Sequence, residues 1–217
     1  MRLLILGCAL VSISCFGQDQ WKNIYSETAW SERDQWQRPD EIIEFLNLRA
    51  GDQVADIGCH EGYMTMKLSR KVGLRGTVYA VDVESSKLER LKSHLTERKI
   101  SNVSVVKGDY DNPKLADASI DAALIIDTYH EMDSHDAVLA HIKSALKPGG
   151  RLVICEPIAN SRRELAREDQ ERKHELGMNY AIADLEKTGF KILVKKDPFI
   201  DRENVKGDKM WIVVASK

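Results

Sequence analysis

Residues 52–63 read DQVADIGCHEGY, and this stretch sets the expected architecture of the chain. Val54 to Ile57 is a short apolar run that is typical of a buried strand, and an amphipathic segment follows Gly62. Gly58 and Gly62 allow a tight turn in which the backbone approaches a ligand closely, and a helix N-terminus offers free N–H groups. The stretch therefore predicts a strand, a ligand-binding turn and a helix.

Short apolar runs alternate with amphipathic segments along most of the chain. Further runs lie at 77–83, 103–106, 120–126 and 151–155, and helical patterns lie at 39–47, 63–72, 85–99 and 134–146. This alternation is typical of βαβ units and a parallel sheet that is covered on both faces. A polar stretch at 161–175 is expected to be a solvent-exposed helix or a mobile segment.

The end of the chain has a different pattern. A predicted helix over 179–188 precedes two more apolar runs, at 190–194 and 210–215, with turn residues at Asp197-Pro198 and Gly207-Asp208 between them. These runs are typical of an antiparallel pair. We therefore predict an α/β fold, a Rossmann-like, doubly wound and mostly parallel seven-stranded sheet with an antiparallel C-terminal strand pair.

Composition limits the class of protein. The 217 residues are 43% hydrophobic and 30% charged, which is ordinary for a globular domain and excludes a disordered or fibrous chain. The net charge is -2. A nucleic-acid-binding protein needs a basic surplus on one face, so no nucleic-acid partner is expected.

Residues 1–17 are typical of a cleavable signal peptide. Arg2 gives a positive start, the following residues up to Phe16 are almost free of charge, and Gly17 is a small residue before Gln18. This pattern predicts export to the periplasm or secretion. Because the apolar run is too short for a membrane span, no stable membrane insertion is expected after cleavage.

Two alternatives for this segment stay open. The first is an apolar N-terminus that is not cleaved, in which case the protein is cytoplasmic. The second is lipid attachment at Cys15, which Ser12 disfavours because the bacterial lipoprotein signal usually has Leu at that position.

Residues 18–38 are rich in aromatic side chains and show no helical or strand period. We expect this N-terminal arm to be either a lid over the functional site or a packing segment that covers the sheet edge. Its aromatic residues are Trp21, Tyr25, Trp30 and Trp36. The domain proper is predicted to begin with a helix at Pro39.

Acidic side chains follow four successive strands of the predicted sheet. Asp56 ends the first strand and Asp82 the second, Asp109 and Tyr110 follow the third, and Asp127 follows the fourth. Any one of them could cap a helix or form a surface turn. Because ligands bind at the carboxyl edge of such sheets, the agreement of all four favours one binding site for a ligand with hydroxyl and amine groups.

These motifs resemble those of class I S-adenosylmethionine-dependent methyltransferases. That family has D-x-G-x-G-x-G after the first strand, an acidic residue after the second, often G-D after the third, and a K-P-G-G turn before the fifth. The matching positions here are 56–62, Asp82, Gly108-Asp109 and Lys147-Pro148-Gly149-Gly150. His60 replaces the middle glycine. The resemblance implies a methyltransferase domain over 39–217 that uses S-adenosylmethionine as its cofactor.

The resemblance also implies the roles of individual residues. The amino-acid part of the cofactor is expected at Asp56, Gly58, Cys59, His60 and Gly62. The ribose is expected at Asp82 and Val83, the adenine at Asp109 and Tyr110, and the sulfonium near Asp127. With no basic surplus in the chain, the methyl acceptor is expected to be a small molecule.

His130 and Glu131 are the candidate catalytic residues. Histidine suits a general base near neutral pH, although His130 could equally be an orienting or helix-capping residue. Glu131, Glu156 and His174 are the weaker candidates. The spacing of His130, Glu131 and Asp133 matches no ligand motif, so no metal site is predicted.

Two rival functions stay open. His60 in the glycine turn is compatible with a degenerate fold that binds S-adenosylmethionine without catalysis. A dinucleotide-linked oxidoreductase is disfavoured because the dinucleotide fingerprint needs glycines where His60 and Tyr63 stand. The family's strand order also places Cys59 and Cys155 too far apart for a disulfide.

Overall fold

A computed structural model describes residues 26–217. The signal peptide predicted at 1–17 and the first part of the arm, up to residue 25, lie outside the described residues. The strands are β1 (Gln53–Ile57), β2 (Thr77–Asp82), β3 (Val103–Lys107), β4 (Ile120–Ile126), β5 (Leu146–Ile158), β6 (Lys191–Arg202) and β7 (Asp208–Ser216). They form one sheet in the order β3-β2-β1-β4-β5-β7-β6.

The first five strands of this order are parallel, and β7 is antiparallel to both β5 and β6. The predicted fold class is therefore confirmed. The helices are α1 (Trp30–Gln37), α2 (Pro39–Phe45), α3 (Tyr63–Val72), α4 (Ser85–Glu97), α5 (His135–Ala145), α6 (Arg167–Glu171), α7 (Met178–Lys187) and α8 (Glu203–Lys206). Short 3-10 helices lie at Glu27–Ala29, Tyr129–Glu131 and Asn160–Arg162.

Apolar side chains on both faces of the central strands hold the layers together. Ala123 and Ile125 of β4 belong to one core cluster, and Ala122 and Leu124 belong to the cluster on the opposite face. This is why β4 reads as a continuous apolar run rather than an alternating one. Helix packing against both faces leaves the carboxyl edge of the parallel strands open for a site.

Two predicted turns lie inside strands. Lys147-Pro148-Gly149-Gly150 falls within β5, where the β4–β5 register shifts between Ile120 and Ala122. Asp197-Pro198 falls within β6, where the β6–β7 register shifts between Lys196 and Ile200. The prediction of turns was wrong at both places because an irregular, bulged strand tolerates proline and glycine that a regular ladder excludes.

The N-terminal arm is more ordered than its lack of period predicted. Residues 30–37 form α1, whose Gln37 is fully buried and whose Trp36 packs against a core cluster. The polar stretch at 161–175 is also held in place, because Gln170 is fully buried and donates to the carbonyl oxygens of Arg162 and Arg163. Side-chain contacts in these polar segments have no sequence period, so neither could be predicted.

Between residues 26 and 217, none of the helices is long and apolar enough to cross a membrane.

Candidate functional site

A cavity of about 440 Å³ opens at the carboxyl edge of β1, β2 and β4. Its volume falls within the range that small-molecule sites occupy. Nine of the ten predicted cofactor residues line it, together with Glu131; the nine are Asp56, Gly58, Cys59, His60, Asp82, Val83, Asp109, Tyr110 and Asp127. Gly62 and His130 are absent from the lining. The structure therefore brings the four predicted strand ends to one site, while the roles of the residues stay predictions.

The turn after β1 depends on two glycines. Gly58 has a φ of +74°, and a Cβ there would lie 2.3 Å from Cγ2 of Thr128. Gly62 has a φ of +98°, and a Cβ there would lie 2.4 Å from Cδ1 of Leu91. Any side chain at either position would be strained and would also collide with a neighbour. Gly62 thus shapes the turn from behind the cavity wall.

His60 takes the place of the middle glycine without closing the cavity. It adopts the left-handed backbone region (φ 49°), which costs a non-glycine residue on the order of 1 kcal/mol. Burial, with a smaller contribution from the Lys87 cation, lowers the pKa of the imidazole to about 4. A neutral imidazole therefore lines the cavity at physiological pH.

Asp82 is held by backbone donors before any ligand binds. The His60 N–H donates to Oδ2 of Asp82 and the Glu84 N–H donates to Oδ1, each at 2.8 Å. A carboxylate oxygen can accept more than one hydrogen bond, so both oxygens remain able to accept from a vicinal diol. This geometry fits the ribose role that the resemblance implies.

Asp56 lies at the base of the cavity and is buried. It accepts a hydrogen bond of 2.6 Å from the Thr65 hydroxyl on α3. Burial raises the pKa of its carboxyl group to about 6, against the opposing effects of Thr65 and the Arg33 cation. Asp56 is therefore mostly ionised at pH 7 but close to its titration range.

Asp127 is a buried carboxylate among cations. It follows β4 in left-handed backbone (φ 54°), and Nη1 of Arg202 lies 3.4 Å from its Oδ2. Burial alone would raise the pKa of Asp127, but Arg202 and Lys206 hold it well below its usual range. Asp208 shares the Arg202 guanidinium. A fixed negative charge thus stands at the cavity wall, where the resemblance places the sulfonium.

The residues expected at the adenine are exposed. Tyr110 has 78% of its surface accessible, and Asp109 forms an ion pair of 2.8 Å with Lys114. Both line the cavity mouth. An exposed aromatic ring at this position is available for stacking on a planar base.

His130 is placed differently from a general base. Its ring is buried, and its Nδ1 lies 2.5 Å from Oε2 of Glu156, a fully buried residue of β5. Burial would lower the pKa of His130, but the Glu156 and Glu131 carboxylates raise it to about 10. A histidine that is charged at pH 7 and absent from the cavity wall does not support the predicted base role, whereas Glu131 does reach the wall.

Two contributors to this site were missed from the sequence. Arg33 reaches the cavity from α1, and Arg202 pairs with Asp127 from the end of β6. Each comes from an element that is remote along the chain. Glu156, a weaker candidate for the base, instead orients the loop after β4.

A parallel sheet in this order, with an antiparallel β7 inserted beside β5 and carboxylates at the strand ends, defines the class I S-adenosylmethionine-dependent methyltransferase fold. The comparisons with known proteins agree with this class. The chain belongs to the methyltransferase-domain family, whose model matches residues 48–199. The family and class that the motifs predicted are thus confirmed, and S-adenosylmethionine is the cofactor of that class.

One curated relative is the aklanonic acid methyltransferase DauC of Streptomyces sp. (strain C5). It is 32% identical over 119 residues, which cover 54% of this chain and 53% of the relative. The chain spans about half the length of the curated relatives it matches. This likeness supports the family but leaves the acceptor open.

Two solved structures share the fold. A SAM-dependent methyltransferase from Aquifex aeolicus has a TM-score of 0.72 and 22% identity, and the match covers 86% of this chain and 92% of that chain. The [4+2]-cyclase SpnF has a TM-score of 0.69 and 20% identity, and the match covers 83% of this chain and 80% of that chain. Since one neighbour is named as a cyclase, the fold by itself does not define the reaction.

Proposed function

We propose that this protein transfers a methyl group from S-adenosylmethionine to a small-molecule acceptor. One observation carries the proposal: the carboxylates of Asp56, Asp82, Asp109 and Asp127, from four different strand ends, line a single cavity. Membership of the methyltransferase-domain family supports the reaction class.

The residues at the cavity fit this cofactor. Asp82 offers two anchored carboxylate oxygens to the ribose diol, and the Gly58 turn leaves the backbone open to a close approach. Asp127 supplies a buried negative charge that suits a cationic sulfonium. The exposed Tyr110 ring suits a planar base.

When bound, the cofactor supplies a methyl group that its positive sulfur has already activated. The protein's task is then to align an acceptor nucleophile in line with that methyl group and to exclude water. Arg33 from α1 and Glu131 after β4 border the same cavity, and we propose that they orient the acceptor. A base is required only if the nucleophile carries a proton.

A small-molecule acceptor is favoured over a nucleic acid. The cavity is a pocket of small-molecule size, and the net charge of -2 provides no basic surplus for a phosphate backbone. The name of the relative DauC, an aklanonic acid methyltransferase, is in line with a small acceptor.

Calorimetry with S-adenosylmethionine and S-adenosylhomocysteine tests the cofactor, with NADH as the matched negative control. We expect binding of both sulfur compounds and none of NADH. Incubation of the protein with methyl-labelled cofactor and a metabolite extract then tests transfer. A protein that binds neither sulfur compound would refute the proposal, and labelled product that depends on Asp82 would support it.

A second candidate is a protein of this fold that binds the cofactor without methyl transfer. Two observations favour it: the [4+2]-cyclase SpnF shares the fold, and the predicted base His130 is charged and lies off the cavity wall. Cofactor binding without labelled product from any extract of the native host would favour this candidate.

We also propose export, with removal of residues 1–17. The proposal rests on the charge pattern of the leader and on Gly17 before Gln18. We expect mass spectrometry of protein from the native host to find a chain that begins at Gln18. An intact N-terminus in the cytoplasmic fraction would refute export.

A further inference from the structure

Three metal-ligating side chains meet beside the cavity. His130 and Glu131 belong to the 3-10 helix after β4, and His174 follows α6. Oε1 of Glu131 lies 3.7 Å from Nε2 of His130 and 3.4 Å from Nδ1 of His174. The two imidazole centroids are 5.8 Å apart. We propose that these three residues form a binding site for a divalent transition-metal ion, with positions left open for an acceptor.

The spacing of the donor atoms suits such an ion. Zinc binds histidine nitrogen at about 2.0–2.1 Å and carboxylate oxygen at about 2.0–2.2 Å, so neighbouring donors in a tetrahedron lie roughly 3.3–3.5 Å apart. The two distances to Glu131 are 3.4 Å and 3.7 Å. All three donor atoms lie within 4.8 Å of one another, so an ion would draw them together through rotation of the exposed Glu131 and His174 side chains.

A buried carboxylate orients the first ligand. Nδ1 of His130 lies 2.5 Å from Oε2 of Glu156, and Glu156 also accepts the backbone N–H groups of Thr128 (2.7 Å) and Tyr129 (3.0 Å). Since Glu156 is an acceptor throughout, Nδ1 donates to it and Nε2 faces Glu131. An ion bound at Nε2 would displace the proton that the charged imidazole carries there. Metal-ligating histidines characteristically donate their other ring N–H to a carboxylate in this way.

Two other groups of potential ligands among the described residues lack this arrangement. In the group of Glu27, His94 and Glu97, the Glu27 carboxylate pairs with Arg98.

In the group of His135, Asp136 and Asp184, the Asp184 carboxylate is held by Arg167 at 2.7 Å and by the Tyr129 hydroxyl at 2.9 Å. By contrast, the ion pairs of the Glu131 carboxylate within residues 26–217 are with His130 and His174, and none is with a lysine or an arginine. The carboxylate of the proposed site is thus available to an ion.

The ligand set indicates the class of metal. Two imidazoles and one carboxylate suit zinc, iron(II) or another first-row divalent ion, whereas magnesium and calcium prefer oxygen ligands throughout. Three protein ligands leave at least one coordination position open, as in catalytic rather than structural sites. His174 and Glu131 are both exposed, so the open side of the site faces solvent and the cavity.

The position of Glu131 links the metal to methyl transfer, and this step rests on the proposed function. Glu131 lines the cavity, so an ion bound to it would hold an acceptor hydroxyl at the cavity rim. Coordination would lower the pKa of that hydroxyl and let its proton leave to solvent. The oxygen lone pair would then bond to the methyl carbon as the carbon–sulfur bond breaks, and that electron pair would stay on sulfur as the neutral thioether.

The metal site is tested without cofactor or acceptor. The full chain is treated with a chelator, dialysed and titrated with Co²⁺ and Zn²⁺, while bound metal is counted by elemental analysis. We expect one tight equivalent and a visible Co²⁺ spectrum with nitrogen and oxygen ligands. Less than one equivalent in the wild-type protein would overturn the proposal.

Variants identify the ligands. Loss of a residue that only orients a ligand weakens metal binding by about 10–100-fold, so Glu156→Gln should weaken Co²⁺ binding by about tenfold. Loss of a ligand itself should cost no less, so His174→Ala should weaken Co²⁺ binding at least tenfold. His141→Ala, an exposed histidine on α5, is the matched control and should bind as wild type does. His94→Ala should also be unchanged, which excludes the Glu27 group.

Because His174 is exposed, His174→Ala should keep the wild-type melting temperature and cofactor affinity. Equal Co²⁺ affinity in wild type and His174→Ala would overturn the proposal and would leave His130 and Glu131 as a plain ion pair. A protein that binds S-adenosylmethionine but no metal refutes only this inference. A protein that binds metal but no S-adenosylmethionine refutes only the proposed function.

Discussion

At the scale of single residues, the Asp82 carboxylate is oriented by the backbone N–H groups of His60 and Glu84. A hydrogen bond to a charged group contributes about 1.5–3 kcal/mol, so Asp82→Ala should weaken S-adenosylmethionine binding by more than tenfold in calorimetry. Asp117→Ala, which removes an exposed carboxylate far from the cavity, is the control. Unchanged cofactor affinity in Asp82→Ala would contradict the ribose role.

Asp56 makes a pH-dependent contribution to stability. Its pKa rises from an ordinary 3.8 to about 6 in the folded protein. Because the folded protein holds this proton more tightly than the unfolded chain does, protonation of Asp56 stabilises the folded state. This contribution to the unfolding free energy is fully present below about pH 4 and is lost as the pH rises through about 6. About 2 pKa units correspond to roughly 3 kcal/mol.

Asp56→Asn keeps the group neutral at every pH. The unfolding free energy of the variant minus that of wild type should therefore increase by on the order of 2–3 kcal/mol between pH 4 and pH 7, because only wild type has to bury a charge as the pH rises. Urea unfolding at several pH values measures this difference. A difference that does not change with pH would show that Asp56 titrates normally, and Asp117→Asn gives the baseline.

Site residues could be predicted from the sequence where they lie next to an apolar strand run, and not where they come from elements remote along the chain. Asp82 and Asp127 directly follow apolar runs, so their place at the sheet edge could be predicted from the chain alone. Arg202 reaches the site from the end of β6, and His174, which follows α6, contacts Glu131. No local pattern encodes such a contact, which is why Arg202 was missed from the sequence.

At the scale of elements, α1 has features of both a packing segment and a cavity wall. The Trp30 ring packs edge-on against Tyr63 of α3 and His94 of α4, with centroids 6.1 Å and 5.6 Å apart. Arg33 of the same helix reaches the cavity. The lid and the packing arm predicted for residues 18–38 can therefore be separated by testing the two side chains singly.

Trp30→Ala should lower stability without changing cofactor affinity. Aromatic pairs contribute about 0.5–1.5 kcal/mol beyond the area they bury, so we expect a loss of at least 1–2 kcal/mol in urea unfolding. The aromatic control is Tyr110→Ala, whose exposed ring should contribute little to stability. A Trp30→Ala variant with wild-type stability and reduced turnover would instead favour the lid.

The strands show where elements can be read from sequence and where they cannot. The runs that became β1, β2 and β4 are short, apolar and regular, and the structure places them as predicted. In β5 and β6, turn residues stand inside the strand at a register shift, where 147–150 and 197–199 have no partner in the neighbouring strands. Because pairing resumes on both sides, the turn residues mark an irregularity within the strand and not its end.

At the scale of the whole molecule, the sheet order separates the two cysteines that the structure describes. Cys59 follows β1 and Cys155 lies in β5, with β4 between these strands. Two strand spacings amount to about 9–10 Å, whereas a disulfide needs Cα atoms within about 7 Å. Both cysteines are free and buried.

We therefore expect both thiols to be alkylated in the unfolded, unreduced protein, as measured by peptide mass spectrometry. In the native protein both should react slowly, since burial raises the pKa of each thiol and thiolate is the reactive form. Cys59 should react faster than Cys155, because it lines the cavity while Cys155 is enclosed by neighbouring strands.

Bound S-adenosylmethionine should slow alkylation of Cys59 more than that of Cys155, which serves as the internal control. A linked peptide pair containing both cysteines would contradict the strand order, and equal protection of the two thiols would show that Cys59 reacts only through global unfolding.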